Sequence, residues 1–147
     1  MIADVFLERD EIGESDRMLD LARRYVGPAE GPLADPLLRD RITQTKLDQS
    51  CLDLTLQRTK DSAKAGQAPG PESSIFKYYG TELNKRRHEL FLSILGPQAL
   101  GWDGEGFEPS EVKLTRDWLR SRANSIEGGT SEIQLNIIAK RVLGLPD

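Results

Sequence analysis

The sequence is poor in the side chains that build metal and disulfide chemistry: it has one cysteine, Cys51, and one histidine, His88. A lone cysteine forms no intrachain disulfide, which excludes a secreted disulfide scaffold, and one Cys with one His cannot complete a zinc site. No metal is expected. Cys51 falls at a helical apolar spacing in CLDLTL and reads as a small buried hydrophobe, whereas His88, in the charged run Asn84–Glu89, reads as solvated. An excess of bases is also missing: 24 acidic against 20 basic residues give a formal net charge of −4. The chain therefore has no global basic footprint, and a nucleic-acid partner is not expected. No apolar run approaches the roughly 18 residues needed for a membrane span. The N-terminus, MIADVFLERDEIGESD, turns acidic after a short apolar patch, unlike a signal peptide. A cytoplasmic protein is expected.

What is present is helix periodicity and clear punctuation. A chain of 147 residues falls in the size range of one domain and can bury a sizeable core. Glycine and proline cluster at Gly27–Pro36, Gly66–Pro71, Gly96–Pro109, Gly128–Gly129 and Gly144–Pro146. Between these breaks the apolar spacing is helical and no segment alternates like a strand for long. The spacing predicts a first helix over Ser15–Val26, with Met18, Leu19, Ala22 and Val26 on one side. Asp35–Pro36 reads as an N-cap followed by proline at the first helical position, opening a long helix to about Ala65. Leu38, Ile42, Leu52 and Leu56 form one stripe of it. Leu47, Cys51 and Leu54 form an adjoining stripe, as for a helix that contacts two neighbours. Gly70–Pro71 opens the next helix, with Ile75, Tyr79, Leu83, Leu90 and Ile94 on its buried face. Ser110 can cap a shorter helix, Glu111–Arg122. Thr130 can cap a last one, Ser131–Leu143, with Ile133, Ile137, Ile138 and Val142 inward and a stop at Gly144–Pro146.

These elements predict an all-α fold: an antiparallel, up-and-down helical bundle over residues 15–147. Residues 1–14 form an N-terminal segment without a clear element. Its apolar Val5, Phe6 and Leu7 read either as part of a frayed end or as an apolar plug for a partner.

One stretch carries chemistry. In Ile126–Gln134 (IEGGTSEIQ), Gly128 and Gly129 stand directly before a threonine cap and a helix. Glycines allow close backbone approach and unusual dihedrals, while the helix directs its free N–H groups and positive dipole end at the same loop. Such a place suits a carbonyl oxygen, a phosphate or the electron-rich edge of a flavin. Glu127 stands beside the loop and can serve as a base. Taken alone, a Gly-Gly-Thr before a helix is also what a plain capping loop looks like.

The longer string RANSIEGGTSEIQLNIIAKRVLGLPD resembles, nearly residue for residue, the C-terminal signature of acyl-CoA dehydrogenases. Upstream, PESSIFK (Pro71–Lys77), LSILG (Leu92–Gly96) and Arg23–Arg24 follow the family's order of features. The resemblance implies the helical C-terminal domain of a three-domain flavoenzyme. Such enzymes desaturate an acyl-CoA thioester: a carboxylate takes the α-proton, the β-hydrogen leaves as hydride to FAD, and electrons pass to an electron-transferring flavoprotein. It further implies a homo-oligomer, dimer or tetramer, built through helix faces, with FAD shared across a subunit pair. Carried over by position, Thr130, Ser131 and Glu132 are the implied FAD contacts. Gly128 and Gly129 lie at the substrate thioester, and Arg24 reaches FAD from a partner subunit. Arg24 can equally be a surface arginine that favours a helix C-terminus.

The sequence departs from the pattern in several places. The family glutamate that precedes Gly-Thr is here Gly128, and the carboxylate sits one residue earlier, at Glu127. On an extended loop that displaces it by about 3.5 Å, so the base is either Glu127 or a residue from an earlier helix. The usual LGG-x-G turn reads LGPQA at Leu95–Ala99, where Pro97 removes an N–H donor. Leu135 stands where arginine is frequent. The domains that cover the other flavin face have no counterpart in this sequence, and one bundle cannot exclude water around the ring. The chain alone is therefore expected to be inactive. A non-catalytic module that docks on full-length dehydrogenase subunits is the alternative.

Overall fold

The computed structural model describes residues 13–28, 32–68, 70–71 and 73–146. All regular structure among them is helical: α1 (Glu14–Tyr25), α2 (Pro36–Lys64), α3 (Ser73–Leu95), α4 (Pro109–Ser121) and α5 (Ser131–Ile137). Short 3₁₀ turns follow α3 (Gly96–Leu100) and α4 (Arg122–Ser125), and a π turn (Ile138–Val142) prolongs α5. The patch Val5–Leu7, frayed end or plug, lies outside the described residues.

The order of contacts shows the up-and-down arrangement. Arg41 of α2 donates to Ser93 of α3 at 3.1 Å, and Asp48 further along α2 meets Arg86, earlier in α3, at 3.4 Å. The two helices therefore run antiparallel. Helix α4 runs back along α3 in turn: Thr115 donates to the Ala99 carbonyl at 3.0 Å, and Arg122 pairs with Glu89 at 2.9 Å. Helix α1 lies beside α3 in the same direction, placing Arg17 over the Phe91 ring and letting Tyr25 donate to Glu111 at the start of α4. Helix α3 is the hub, packed against every other helix. Its sequence suits that place: Ser74, Gly80 and Thr81 are small and buried at one end, while Leu90, Phe91, Ile94 and Leu95 are buried at the other.

The main core joins Met18 and Ala22 of α1, Leu33, Leu38 and Ile42 around the start of α2, the α3 cluster and Leu114 of α4. Each fully buried aliphatic or aromatic side chain contributes about 1.5–3 kcal/mol. Truncating Phe91, which is 2% exposed, to alanine would cost about 3–5 kcal/mol.

Helix starts follow local chemistry. The Asp35 carboxylate accepts from the N–H groups of Leu37 (2.9 Å) and Leu38 (3.1 Å), with Pro36 at the first position, as the sequence predicts. Helix α4 corrects its expected start. The cap is Glu108, not Ser110, because Pro109 presets the first turn and Glu111 reciprocates by accepting the Glu108 N–H at 3.0 Å.

Other expectations also need correction. Cys51 is exposed, and Leu47 and Leu54 beside it are 54% and 71% exposed. The second stripe of α2 is thus left uncovered among the described residues, where the stripe of Leu38, Ile42 and Leu52 turns inward. His88 is half-buried, not solvated, since it lies one residue from the face that carries Leu90 and Phe91. Ile133 (52%) and Val142 (38%), expected inward, point out. Helix α5 is only seven residues long, with Gln134 as its buried residue, while Ile137 and Ile138, also expected inward, are half-buried. No described helix is long and apolar enough to cross a membrane.

Candidate functional site

The loop Ile126–Thr130 sits at the end of the bundle where α3 begins. Gly128 and Gly129 both hold positive φ, +64° and +99°, a region that side-chain-bearing residues rarely occupy. Beneath them lies the buried Gln134, whose amide donates to the Gly128 carbonyl at 3.2 Å. A Cβ on Gly129 would approach that amide nitrogen to 2.7 Å. Conformation favours glycine at 129, and a side chain there would also displace the Gln134 amide from its place under the loop. Above the loop there is no such packing: Ile126, Glu127 and Gly128 are exposed, and Gly129, Thr130 and Ser131 are half-exposed.

The capping chemistry is as the sequence predicts. Thr130 adopts extended backbone, and its hydroxyl accepts from the Ile133 N–H at 3.3 Å. The Glu132 carboxylate turns back on its own N–H and on the Thr130 hydroxyl, and these bonds hold its carboxyl below the usual range. A carboxylate thus already occupies the electropositive start of α5, as helix geometry favours. Ser131 donates to Glu82 of α3 at 3.3 Å.

A polar layer on α3 holds the loop from behind, and sequence reasoning missed it. Lys77 is 8% exposed, and its ammonium donates to the Asn124 carbonyl at 2.6 Å, at the end of the turn after α4. Burial lowers its pKa, and the negative charges of Glu82 and Glu127 oppose that shift. Lys85 bonds both oxygens of Glu82 at 3.1 Å and the Ser125 hydroxyl at 2.7 Å. Asn84 donates to Asn124 at 2.9 Å and accepts from Arg87. One signal was available: Ser74, Lys77 and Thr81 follow an i, i+3, i+7 stripe, which puts a lysine on a buried face.

Of the remaining expected site residues, Glu127 pairs with Arg120 of α4 at 2.7 Å, both ends being well exposed. Arg24 is exposed and stacks on Tyr25 at 5.3 Å, at the opposite end of the bundle. Lys77 and Leu95 mark the two ends of α3, and at 1.5 Å per residue they are about 27 Å apart. One chain therefore gathers Glu127 to Glu132 but leaves Arg24 remote from them. The LGPQA segment forms a 3₁₀ turn rather than an open glycine turn. No cluster of potential metal ligands occurs among the described residues.

The described residues thus form a helical bundle whose last helix is preceded by an outward-facing, doubly glycine loop. The sequence matches the family model described as acyl-CoA dehydrogenase, C-terminal domain, over residues 10–143. It is 32% identical over 133 residues to acyl-CoA dehydrogenase IpdE1 of Mycolicibacterium smegmatis, covering 90% of this chain and 30% of that protein. It is 31% identical over 112 residues to acyl-CoA dehydrogenase FadE34 of Mycobacterium tuberculosis, covering 76% of this chain and 14% of that one. Among solved structures it resembles the Tcur3481–Tcur3483 steroid ACAD G363A variant, with a TM-score of 0.69 at 20% identity, over 91% of this chain and 36% of that one. It also resembles the ChsE4–ChsE5 complex from Mycobacterium tuberculosis, with a TM-score of 0.68 at 21% identity, over 99% and 40%. The chain belongs to the acyl-CoA dehydrogenase family, as its C-terminal domain. It spans about a third of the length of the IpdE1 relatives.

Proposed function

We propose that this chain forms one wall of the active site of an FAD-dependent acyl-CoA dehydrogenase, completed by further domains that cover the opposite face. The observation that carries this reading is the Gly128–Thr130 loop. It is open on its outer side, yet Gln134 bonds the Gly128 carbonyl from within and Lys77 bonds the Asn124 carbonyl in the turn just before it. FAD, when bound, supplies the hydride acceptor. The residues fit one edge of such a group, with Thr130, Ser131 and Glu132 at the half-open start of α5. The chain's own part is to hold the backbone of Gly128 and Gly129 close to an acyl-CoA thioester. Glu127 is the chain's candidate for the carboxylate that takes the α-proton, and it must leave Arg120 to do so. Arg24, remote from its own loop, serves the site of a second subunit. The exposed stripe of Leu47, Cys51 and Leu54 supplies an apolar face for a dimer or tetramer. Electrons leave to an electron-transferring flavoprotein. A cytoplasmic setting keeps the exposed Cys51 a thiol.

The test uses this chain alone and in complex with a subunit that supplies the remaining domains. Alone it is expected to purify colourless and without dehydrogenase activity; stoichiometric FAD and acyl-CoA-dependent reduction of an acceptor would overturn the need for other domains. The complex is expected to be yellow and to bleach on addition of acyl-CoA. Gly129→Val in this chain should abolish bleaching, and unchanged bleaching would remove the loop from the site. A second reading is a non-catalytic module docked on a full-length dehydrogenase, favoured by the same uncovered α2 stripe. Co-purification with a longer subunit whose activity is indifferent to Gly129→Val would select it.

A further inference from the structure

Glu82 of α3 stands behind the glycine loop and touches it on both flanks. One of its oxygens, Oε1, accepts from the Ser125 hydroxyl at 3.4 Å and from the Ser131 hydroxyl at 3.3 Å. Those two serines bracket Ile126–Thr130, so a single atom reaches both ends of the loop. Lys85 keeps that atom in place: its ammonium lies 3.1 Å from each Glu82 oxygen and 2.7 Å from the Ser125 oxygen. The Lys85 and Glu82 side chains are 20% and 30% exposed, and a pair so covered is screened less than one on the surface.

The direction of each bond follows from its atoms. An ionised carboxylate only accepts, and a hydroxyl has one proton and two lone pairs. Ser125 accepts from Lys85 and gives its own proton to Glu82. Ser131 likewise spends its proton inward on Glu82, so its half-exposed outer side offers lone pairs alone. The neighbouring Thr130 hydroxyl is committed as well, accepting the Ile133 N–H at 3.3 Å and bonding the Glu132 carboxylate.

We propose that Glu82 is a positioning residue: acting through Ser131, it turns that hydroxyl into a pure acceptor, so the bound group must bring an N–H or O–H donor to it. A carbonyl or phosphate oxygen beside Ser131 would set lone pair against lone pair. That the bound group is a flavin rests on the function proposed above; the orientation of Ser131 does not. A flavin offers donors of both kinds, a ring N–H and ribityl hydroxyls.

NMR of the 147-residue chain tests the orientation with no cofactor present. The Ser131 Hα–Hβ couplings are expected to report one dominant rotamer in wild type and an average in Glu82→Ala. Glu82→Gln keeps the Oε1 acceptor and loses only the charge, so it should restore the single rotamer, a rescue that a general change in stability would not produce. In the complex with the completing subunit, Ser131→Ala and Glu82→Ala should each weaken FAD binding at least fivefold, with no further loss in the double variant. An averaged Ser131 in wild type, unchanged couplings in Glu82→Ala, or additive losses in the double variant overturns the role. The wild-type couplings decide it even if Glu82→Ala fails to fold. A single Ser131 rotamer rescued by Glu82→Gln, beside a wild-type complex that takes up no FAD, would uphold the orientation and remove the flavin reading alone.

Discussion

Replacing Lys77 by methionine isolates the force that holds the glycine loop in place. Methionine keeps the apolar stem and deletes the ammonium, leaving the Asn124 carbonyl without the donor that reaches it at 2.6 Å. An orphaned buried acceptor costs about 1–3 kcal/mol. Part of that is offset, because the ammonium is itself desolvated in the folded state, as its lowered pKa shows. The net expectation is a loss of about 1–2 kcal/mol, or about 2–8 °C in Tm at this chain length. The pH dependence fixes the sign independently. The folded-state pKa lies below the ordinary 10.5, so in the window just under that value the unfolded chain binds more protons. Wild-type stability must then rise with pH across the window, and the gap to Lys77→Met must widen. Urea melts at neutral and alkaline pH, with amide exchange at Gly128 and Gly129, provide the assay. A variant as stable as wild type at neutral pH, or a gap that closes as pH rises, would refute the reasoning.

Further expectations follow from the same geometry. Gly129→Ala should cost the left-handed strain, about 1–2 kcal/mol, plus the Gln134–Gly128 hydrogen bond that it displaces, about 0.5–1.5 kcal/mol, whereas Gly128→Ala should cost only the strain; equal losses in urea melts would contradict the packing under the loop. His88 titrates in the fold at about 4 against an ordinary 6.5, so the unfolded state binds more protons between those values. Stability should fall as pH drops through that window in wild type and less so in His88→Gln; a histidine Cε1 titration centred near 6.5 would sink this. Leu54→Glu, on the exposed stripe of α2, should lower the oligomeric state by sedimentation while leaving the melt of the folded chain within about 0.5 kcal/mol.

The bundle was legible because its signals are local. Asp35–Pro36, Thr130 and the glycine breaks mark helix ends by chemistry confined to a few residues, and the structure places α1, α2 and α3 within a residue or two of expectation. The errors arose where tertiary partners decide. Nothing in CLDLTL says which of two apolar stripes turns inward; in the fold it is the one bearing Leu38, Ile42 and Leu52. Ser110 looked like a cap, but Pro109 and the buried Glu111 moved the start of α4 to Glu108. The candidate loop was visible from its residues; the polar layer behind it was not. Lys77 and Glu82 lie more than 40 residues from Asn124, Ser125 and Ser131 in sequence, and each alone reads as solvated.

That hidden layer explains how the loop can be both exposed and defined. A surface turn with two left-handed glycines has few side chains with which to pack itself, and apolar cover from outside would close the face a ligand needs. Rigidity must then come from directional bonds on the inner side. Gln134 grips the Gly128 carbonyl, Lys77 the Asn124 carbonyl, and Glu82 gathers Lys85, Ser125 and Ser131. Lys77, Glu82 and Lys85 belong to α3, and their partners Asn124, Ser125 and Ser131 flank the loop on both sides, so loop position is coupled to the helix that all others pack against. A buried lysine and a half-buried glutamate cost desolvation that leucines would not. What they supply in return is geometry: bonds to named carbonyl and hydroxyl oxygens that admit one arrangement of the turn, where an apolar contact would admit several.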